Sequence, residues 1–287
     1  MNVTHRSNQL HDFSSIFMRS EVLSWLQDDF SSLDIKINRY LDEIPASGKL
    51  NYLSFIKYAY KVIEKDYQNE YVFKNAFLSK WLINELEETD SVVYNEFRVG
   101  KSIADLAIFN GISKAYEIKT EFDSDARLKR QLKEYRRAFN EVYLIIPKNR
   151  LSVYDEYNSE IGIILFDSSS SNQFELVNKP LFQKNIDPKI IMEVLHTKEY
   201  KNIVYQYFGE LPKMNSFNQF NVCSKLISTI PLDCLNRLYL GELKKRKNSF
   251  IISNRYFTEF NQISLALKLS KEDKKVLINK LKTPINL

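Results

Sequence analysis

Cysteine is nearly absent from this 287-residue sequence: only Cys223 and Cys234 occur, well apart and with no histidines clustered near them. That distribution argues against a disulfide scaffold and against a zinc site, and it fits a reducing cytoplasm. Glycine (6) and proline (7) are also scarce, which predicts a chain rich in regular, mostly helical elements with few long loops. No apolar run approaches the ~20 residues of a membrane span. The opening MNVTHRSNQLHDF has no basic-then-apolar leader pattern. The expected location is therefore cytoplasmic, with no membrane partner. His5, His11 and His196 show no ligand spacing, and none is assigned a role.

What is present is enough apolar material for a real core. Hydrophobic residues make up 44% and aromatics 13% of the chain, so disorder is excluded as the main state. The net charge of +5 conceals an asymmetry. From Leu181 onward there are 18 Lys and Arg against 9 Asp and Glu, whereas the remainder carries 23 against 27. The basic character is C-terminal, which suits either a solvated face or a phosphate-binding one.

Residues 10–66 read as helices with short breaks, each with apolar residues three and four apart: SSIFMRSEVLSWLQDDF, SLDIKINRYLDEI and, after PASGK, NYLSFIKYAYKVIEKDY. A further helix is expected over 69–88. The period then changes to two in VVYNEFRV, SIADLAIF and KAYEIKTE, with turns at Gly100-Lys101 and Asn110-Gly111. These predict a three-stranded meander. DSDARLKRQLKEYRRAFN predicts a helix with Asp123 or Ser124 as N-cap and Leu128, Leu132, Tyr135 and Phe139 on one stripe. EVYLIIP and GIILFD predict a fourth and a fifth strand, SSSSN an exposed loop, and the chain beyond Asp187-Pro188 is again helical. The organisation expected is an N-terminal helical region (1–68), an α/β centre (69–180) and a basic C-terminal helical region (181–287).

The centre holds the residues that carry chemistry. In an antiparallel hairpin, opposed residues have numbers of constant sum, so Asp105 faces Glu117 only if that sum is 222. A three-residue loop, Asn110 to Ile112, gives that register, and period two places Lys119 on the same face. Two adjacent carboxylates on a half-buried sheet are costly unless a cation neutralises them. Oxygen ligands on paired strands suit magnesium or manganese, with the Ile118 carbonyl as a further ligand. Lys119 would orient or deprotonate a water for attack on phosphorus. Taken alone, D…ExK is as well explained by a cross-strand salt-bridge cluster. The following helix adds weight, because Gln131 and Tyr135 share one face in the pattern Q-x-x-x-Y and Arg127 extends it by a turn.

Together, Asp105, Glu117-x-Lys119 and Gln131-x-x-x-Tyr135 resemble the PD-(D/E)XK nuclease superfamily, especially its RecB-like branch. The segments NEYVFKNA, EFRVGKSIADLAIFNG, YEIKTEFDSDARLKRQ and YRRAF are similar to a stand-alone bacterial family of unassigned biology within it. The resemblance covers about residues 69–147 and implies a restriction-endonuclease-like αβββαβ core with helical additions at both ends. It implies that Asp105 and Glu117 bind metal, that Lys119 acts on the attacking water, and that Gln131 and Tyr135 support the site or contact DNA. Ala104 stands where the superfamily name has proline. An additional acid often joins such sites; Glu70 at the start of the first core helix and Glu96 in the first strand are the two candidates. Glu70 would alternatively favour its helix dipole, and Glu96 would alternatively pair with Arg98 or Lys101.

The expected function is therefore Mg2+- or Mn2+-dependent hydrolysis of phosphodiester bonds, in DNA in preference to RNA, in bacterial phage or mobile-element defence or DNA repair. Arg127, Lys129, Arg130, Lys133, Arg136 and Arg137 give the helix a positive face for nucleic acid. KKRK at 244–247, with Phe250 and Tyr256, is a second candidate contact. Two other classes fit the same sequence. One is a nucleic-acid-binding module of this fold that is inactive or partner-dependent; the other is a helical interaction protein, a homodimer or partner of a larger complex through its arms.

Overall fold

A computed structural model describes residues 3–45, 50–83, 91–157, 159–246 and 257–285. Four helices open the chain: α1 (Val3–Ser15), α2 (Arg19–Leu26), α3 (Ser31–Arg39) and α4 (Tyr52–Asp66). The helix expected from residue 14 to 30 is instead two, because the chain turns at Ser15–Met18, where the Phe17 and Met18 amides donate back to Ser14 and Ser15. Helix α4 starts on a capping box: the Ser54 amide donates to Asn51 Oδ1, and the Asn51 amide donates to Ser54 Oγ. Its apolar stripe, Phe55, Ile56, Ala59 and Ile63, is fully buried.

Helix α5 (Glu70–Ala76) is capped by Asn69, whose side chain accepts from the Val72 amide at 3.0 Å. It runs into a π-helical turn, Phe77–Trp81, and residues 84–88 of the expected helix lie outside the described residues. The sheet follows: β1 (Val92–Val99), β2 (Ser102–Phe109), β3 (Ser113–Ile118), then α6 (Leu128–Ala138), β4 (Glu141–Pro147), β5 (Gly162–Phe166) and β6 (Phe174–Asn178), in the order 1-2-3-4-5-6. The element order from α5 to β4 is αβββαβ, and the fold class is mixed α+β. β1, β2 and β3 are antiparallel neighbours; β3, β4 and β5 run parallel, with α6 as the first crossover. β6, an antiparallel edge strand, has no counterpart in the expectation. Its FELVN alternates poorly, and only Phe174 is buried.

The β2–β3 hairpin has the expected register. Phe109 pairs with Ser113 and Leu106 with Tyr116, and the Asn110 amide donates to Ile112 O across the three-residue loop. Gly111, with φ +106°, supplies a left-handed position there, as Gly100 (φ +56°) does between β1 and β2. The two sheet faces separate by parity. Leu106, Ile108, Tyr116, Ile118, Ile145 and Ile164 pack against Phe73, Phe77 and Leu78 of the α5 segment. Ala107, Phe109, Ala115, Leu144, Ile146 and Ile163 pack against Leu128, Leu132 and Tyr135 of α6. Because both faces are buried, a one-residue slip would exchange two apolar sets and would be opposed by lost side-chain fit, not by exposure to water.

The helices of residues 181–287 divide between two hydrophobic cores. Helices α7 (Pro188–Val194), α8 (Thr197–Phe208), α9 (Gln219–Ile227) and α10 (Leu232–Lys245) extend the α6-side core through Ile191, Ile203, Ile227 and Tyr239. By contrast, Phe260, Ile263 of α11 (Asn261–Ala266) and Leu277 and Leu281 of α12 (Lys271–Leu281) join Phe13, Trp25, Phe55 and Ile63 in a separate core. Both stretches show the same helical period, and period alone does not say which neighbour buries a stripe. Among the described residues no helix is long and apolar enough to cross a membrane.

Candidate active site

Two helices and two strands converge where β2 begins and β3 ends. Ladder pairing between them stops at Leu106–Tyr116, and the next position on each strand, Asp105 and Glu117, is given to side-chain chemistry. Asp105 Oδ2 accepts the Ile118 amide at 2.7 Å, so its carboxylate lies between the strands where a backbone bond would continue the ladder. Asp105 Oδ1 receives Lys74 Nζ of α5 at 2.9 Å, and the same ammonium bonds Glu70 Oε1 at 2.5 Å one helical turn back. Lys74 is 2% exposed.

Glu117 is approached from the opposite face. Its Oε1 accepts Gln131 Nε2 at 2.9 Å and lies 3.2 Å from Lys119 Nζ, while its Oε2 accepts the Tyr135 hydroxyl at 2.8 Å. The Tyr135 hydroxyl is also 2.6 Å from the Ile103 carbonyl, which ties α6 to the start of β2. The expected spacing of Gln131 and Tyr135 therefore brings both onto one carboxylate. Gln131 Oε1 is buried without a partner among the described residues, leaving an acceptor beside the cluster.

The electrostatics follow from burial. Desolvation pushes the Glu117 carboxyl up to about 7, the negative charge of Asp105 adds to this, and Lys119 and the Tyr135 hydrogen bond oppose it. Asp105 is raised as well, chiefly by burial, with Lys74 pulling it back and Glu70 pushing it further up. For Lys74, burial alone would lower the ammonium's affinity for its proton, but the charges of Asp105 and Glu70 outweigh that and hold it above its ordinary value. Burial and the Glu117 charge raise the Tyr135 phenol far beyond neutral pH, so it keeps its proton, and its oxygen accepts Gln131 Nε2 at 3.4 Å. Three carboxylates face two ammonium groups, and both buried acids protonate more readily than usual.

That imbalance fits a hard divalent cation. Asp105 Oδ1, the Glu117 carboxylate and the Ile118 carbonyl are all oxygen donors. Among the described residues no group of three or more His, Cys, Asp or Glu side chains is arranged to hold a metal. Such an ion would complete its shell with water and substrate phosphate, as suits magnesium, which commonly binds through one or two carboxylates. Glu70 reaches the cluster only through Lys74. Glu96 does not join it: its carboxylate binds Arg19 of α2 at 2.7 Å and is half-exposed. The backbone explains this, since Glu96, at the position opposite Asp105 where the β1–β2 ladder lapses, has φ +55° and turns away from the regular pleat.

Other expectations on this stretch need correction. β3 ends at Ile118 and not at Glu121, so Lys119 lies just beyond it, its amide donating to Ile145 O at 2.9 Å. Helix α6 begins at Leu128 and neither Asp123 nor Ser124 caps it: Asp123 instead accepts the Thr120 amide and hydroxyl. Arg136 pairs with Glu160, and Arg137, still half-exposed, pairs with Asp187, the N-cap of α7, at 2.5 Å, so both expected contacts already have an acidic partner. Arg127, Lys129, Arg130 and Lys133 remain exposed. Arg246 of the KKRK run is bound to Glu199 at 2.6 Å, and Lys245 to Glu242, while Lys247, Phe250 and Tyr256 lie outside the described residues.

Two features had no sequence-based counterpart. Lys74 is one; its signal is a lysine inside the buried run Val72–Ala76, beside Asn75 and four residues after Glu70. The second is a cleft of about 640 Å3 outside β1, lined by Arg19, Glu96, Arg98, His196, Arg246 and Lys268 among others. Arg98 and Lys268 are exposed and make no ion pair with another described residue. They come from β1 and from the loop after α11, which are far apart in sequence, so no local motif marks them.

Comparison with known proteins places this architecture in a lineage. Protein cII of Enterobacteria phage P4 is 32% identical over 134 residues, covering 45% of this chain and 51% of the relative; the chain thus spans about half the length of that curated protein. A solved structure, the SPO1766 protein of unknown function from Silicibacter pomeroyi, matches 48% of this chain and 90% of its own at 14% identity and a TM-score of 0.31. The model for the family described as Bacteriophage P4 protein cII matches residues 63–281, a span that includes every member of the cluster from Glu70 to Tyr135. The chain belongs to the bacteriophage P4 protein cII family.

Proposed function

We propose that the chain is a metal-dependent nuclease of PD-(D/E)XK type that hydrolyses phosphodiester bonds in nucleic acid, with DNA as the first substrate to test. The observation that carries this reading is Glu117, a buried carboxylate held at once by Gln131, Tyr135 and Lys119 beside Asp105. Pinning both oxygens of one acid with three donors fixes its orientation, which is what a preorganised site needs.

Asp105, Glu117 and the Ile118 carbonyl would hold Mg2+ or Mn2+, which when bound would stabilise charge developing on the phosphate. Lys119 donates a hydrogen bond to the attacking water and leaves a lone pair directed at phosphorus. Gln131 and Tyr135 keep Glu117 from rotating. Arg127, Lys129, Arg130 and Lys133 on α6, with Arg98 and Lys268 in the cleft beyond β1, hold phosphates on either side. The setting proposed is cytoplasmic, in phage or mobile-element biology.

A second reading has its own observation. Lys74 already neutralises Asp105, as a cation would, and this favours a module that grips nucleic acid without cutting it. Incubating purified protein with supercoiled plasmid, linear duplex and single strands, in magnesium, manganese or chelator, separates the two. Cleavage lost in Asp105→Ala, Glu117→Ala and Lys119→Ala supports the enzyme. Cleavage that persists in all three removes the site, and binding without cleavage in any metal selects the module.

A further inference from the structure

We propose that Phe122, backed by Tyr67, forms a stacking shelf for one unpaired nucleobase beside the cluster, so that the preferred substrate is single-stranded or frayed where it is cut. The proposal rests on the nucleic-acid reading above and adds the class of strand.

Position comes first. β3 and β4 run parallel and finish at the same end of the sheet as the cluster, and Pro147 closes β4 there. A cavity of about 260 Å3 at this end is lined by Tyr67, Gln68, Phe73, Glu121, Phe122 and Pro147, together with Lys65 and Asp66. Phe73 directly precedes Lys74, and Phe122 is three residues beyond Lys119. The cavity therefore borders the reacting region through two elements at once.

Phe122 is 63% exposed, yet its setting is fixed. Its amide donates to Thr120 Oγ1, and the Asp123 carboxylate accepts both the amide and the hydroxyl of Thr120, so a hydrogen-bonded turn presents the ring. The ring contacts Tyr67 at a tilt of 40°, with centroids 5.2 Å apart, and Tyr67 in turn meets His11 edge-on at 5.3 Å. A scattered exposed apolar residue needs no explanation. A ring supported from behind, held by a turn and open in front next to a candidate catalytic lysine is a different object.

Charge identifies the occupant. The lining contains one cation, Lys65, against Glu121 and Asp66, the latter paired with Arg6, so the cavity has no surplus of positive charge for a phosphate. Glu121 Oε1 accepts Asn149 Nδ2 and Gln68 Nε2 donates to Ser168, which leaves Glu121 Oε2 and Gln68 Oε1 as acceptors for the amino edge of a base. A base within a duplex has both faces covered by its neighbours, so only an unpaired or displaced one can lie on Phe122. A cavity of this size takes one flat ring system and no stacked base pair.

The test uses the full chain in chelator, with 12-nucleotide single strands of DNA and of RNA carrying one 2-aminopurine, and a blunt duplex of the same sequence. Wild type is expected to bind a single strand more tightly than the duplex and to quench the 2-aminopurine. Phe122→Ala is expected to lose on the order of tenfold in single-strand affinity, with the quench, and to keep its duplex affinity. Phe122→Trp retains both signals, and Phe122→Leu, apolar but without a π face, behaves as Phe122→Ala. Equal loss for single strand and duplex, an unchanged Phe122→Ala, or no binding of single strands by wild type overturns the shelf. Plasmid cleavage that survives alongside any of those results leaves the nuclease reading standing. Intact stacking without metal-dependent cleavage sinks that reading alone.

Discussion

The Lys74 ammonium lies 2.9 Å from Asp105 Oδ1 and has only 3% of its side chain exposed. A buried charge is tolerated when paired, and removing one partner strands the other. Lys74→Met is therefore expected to destabilise the chelated protein by about 3–5 kcal/mol in urea unfolding. Lys74→Met/Asp105→Asn should recover much of that loss. Added magnesium should also rescue the single variant if Asp105 is a ligand; a loss identical with and without metal would argue that it is not.

Glu117 supplies a pH dependence with a definite sign. Its folded value is raised to about 7 from an ordinary 4.5, so the native state binds the extra proton. Its contribution to stability is complete below pH 4.5 and is lost as pH rises through 7. In chelator, the stability of wild type minus that of Glu117→Gln should fall between those limits, with a slope of at most about 1.4 kcal/mol per pH unit. Lys119 loses its partner in the variant, which shifts the offset between the two proteins, so the slope is the quantity to read. A flat difference from pH 4.5 to 8 would show that Glu117 titrates normally.

The hairpin that brings these acids together was legible from numbering alone. A loop of Asn110 to Ile112 fixes the sum at 222, and the observed pairs keep it. The faces alternate by parity from Leu106 onward but not through Glu96 and Asp105, where the ladder lapses: Val93 lies in one core, and Phe97, Val99 and Ala104 lie in the other, a switch that numbering did not foretell. Long-range choices were not legible: that α12 packs on the first helices while α10 packs on the sheet through Tyr239 and Phe109, or that Arg136 and Arg137 are paired with Glu160 and Asp187. A charge count records how many cations a helix carries but not which are already paired. Lys74 was missed for a related reason, since a lysine near a helix start ordinarily reads as solvated surface.

That pairing gives a test of the nucleic-acid face. With binding measured against salt, Arg98→Ala and Lys268→Ala should each lower the slope of log affinity against log salt by about one. Arg136→Ala and Arg137→Ala should change thermal stability and leave that slope unaltered. The reverse pattern would move the phosphate track from the cleft beyond β1 to the C-terminal half of α6.

Tyr135→Phe removes one hydroxyl that serves both Glu117 and the Ile103 carbonyl. A hydrogen bond to a charged group is worth about 1.5–3 kcal/mol, and a stability loss in that range is expected by chemical denaturation. The same variant should slow cleavage with little change in nucleic-acid affinity, because the phenol orients a carboxylate and touches no phosphate. Weakened binding at an unchanged rate would give Tyr135 the opposite role.

The core shared by residues 13–72 and 260–281 has a consequence during synthesis. Helices α1 to α4 cannot complete their hydrophobic packing until α11 and α12 emerge, some two hundred residues later, while the intervening sheet has its own helices to fold against. Nascent chains arrested before Thr258 should therefore expose the faces carrying Phe13, Trp25 and Phe55 and recruit holdase chaperones, and extending the chain past Leu281 should free them.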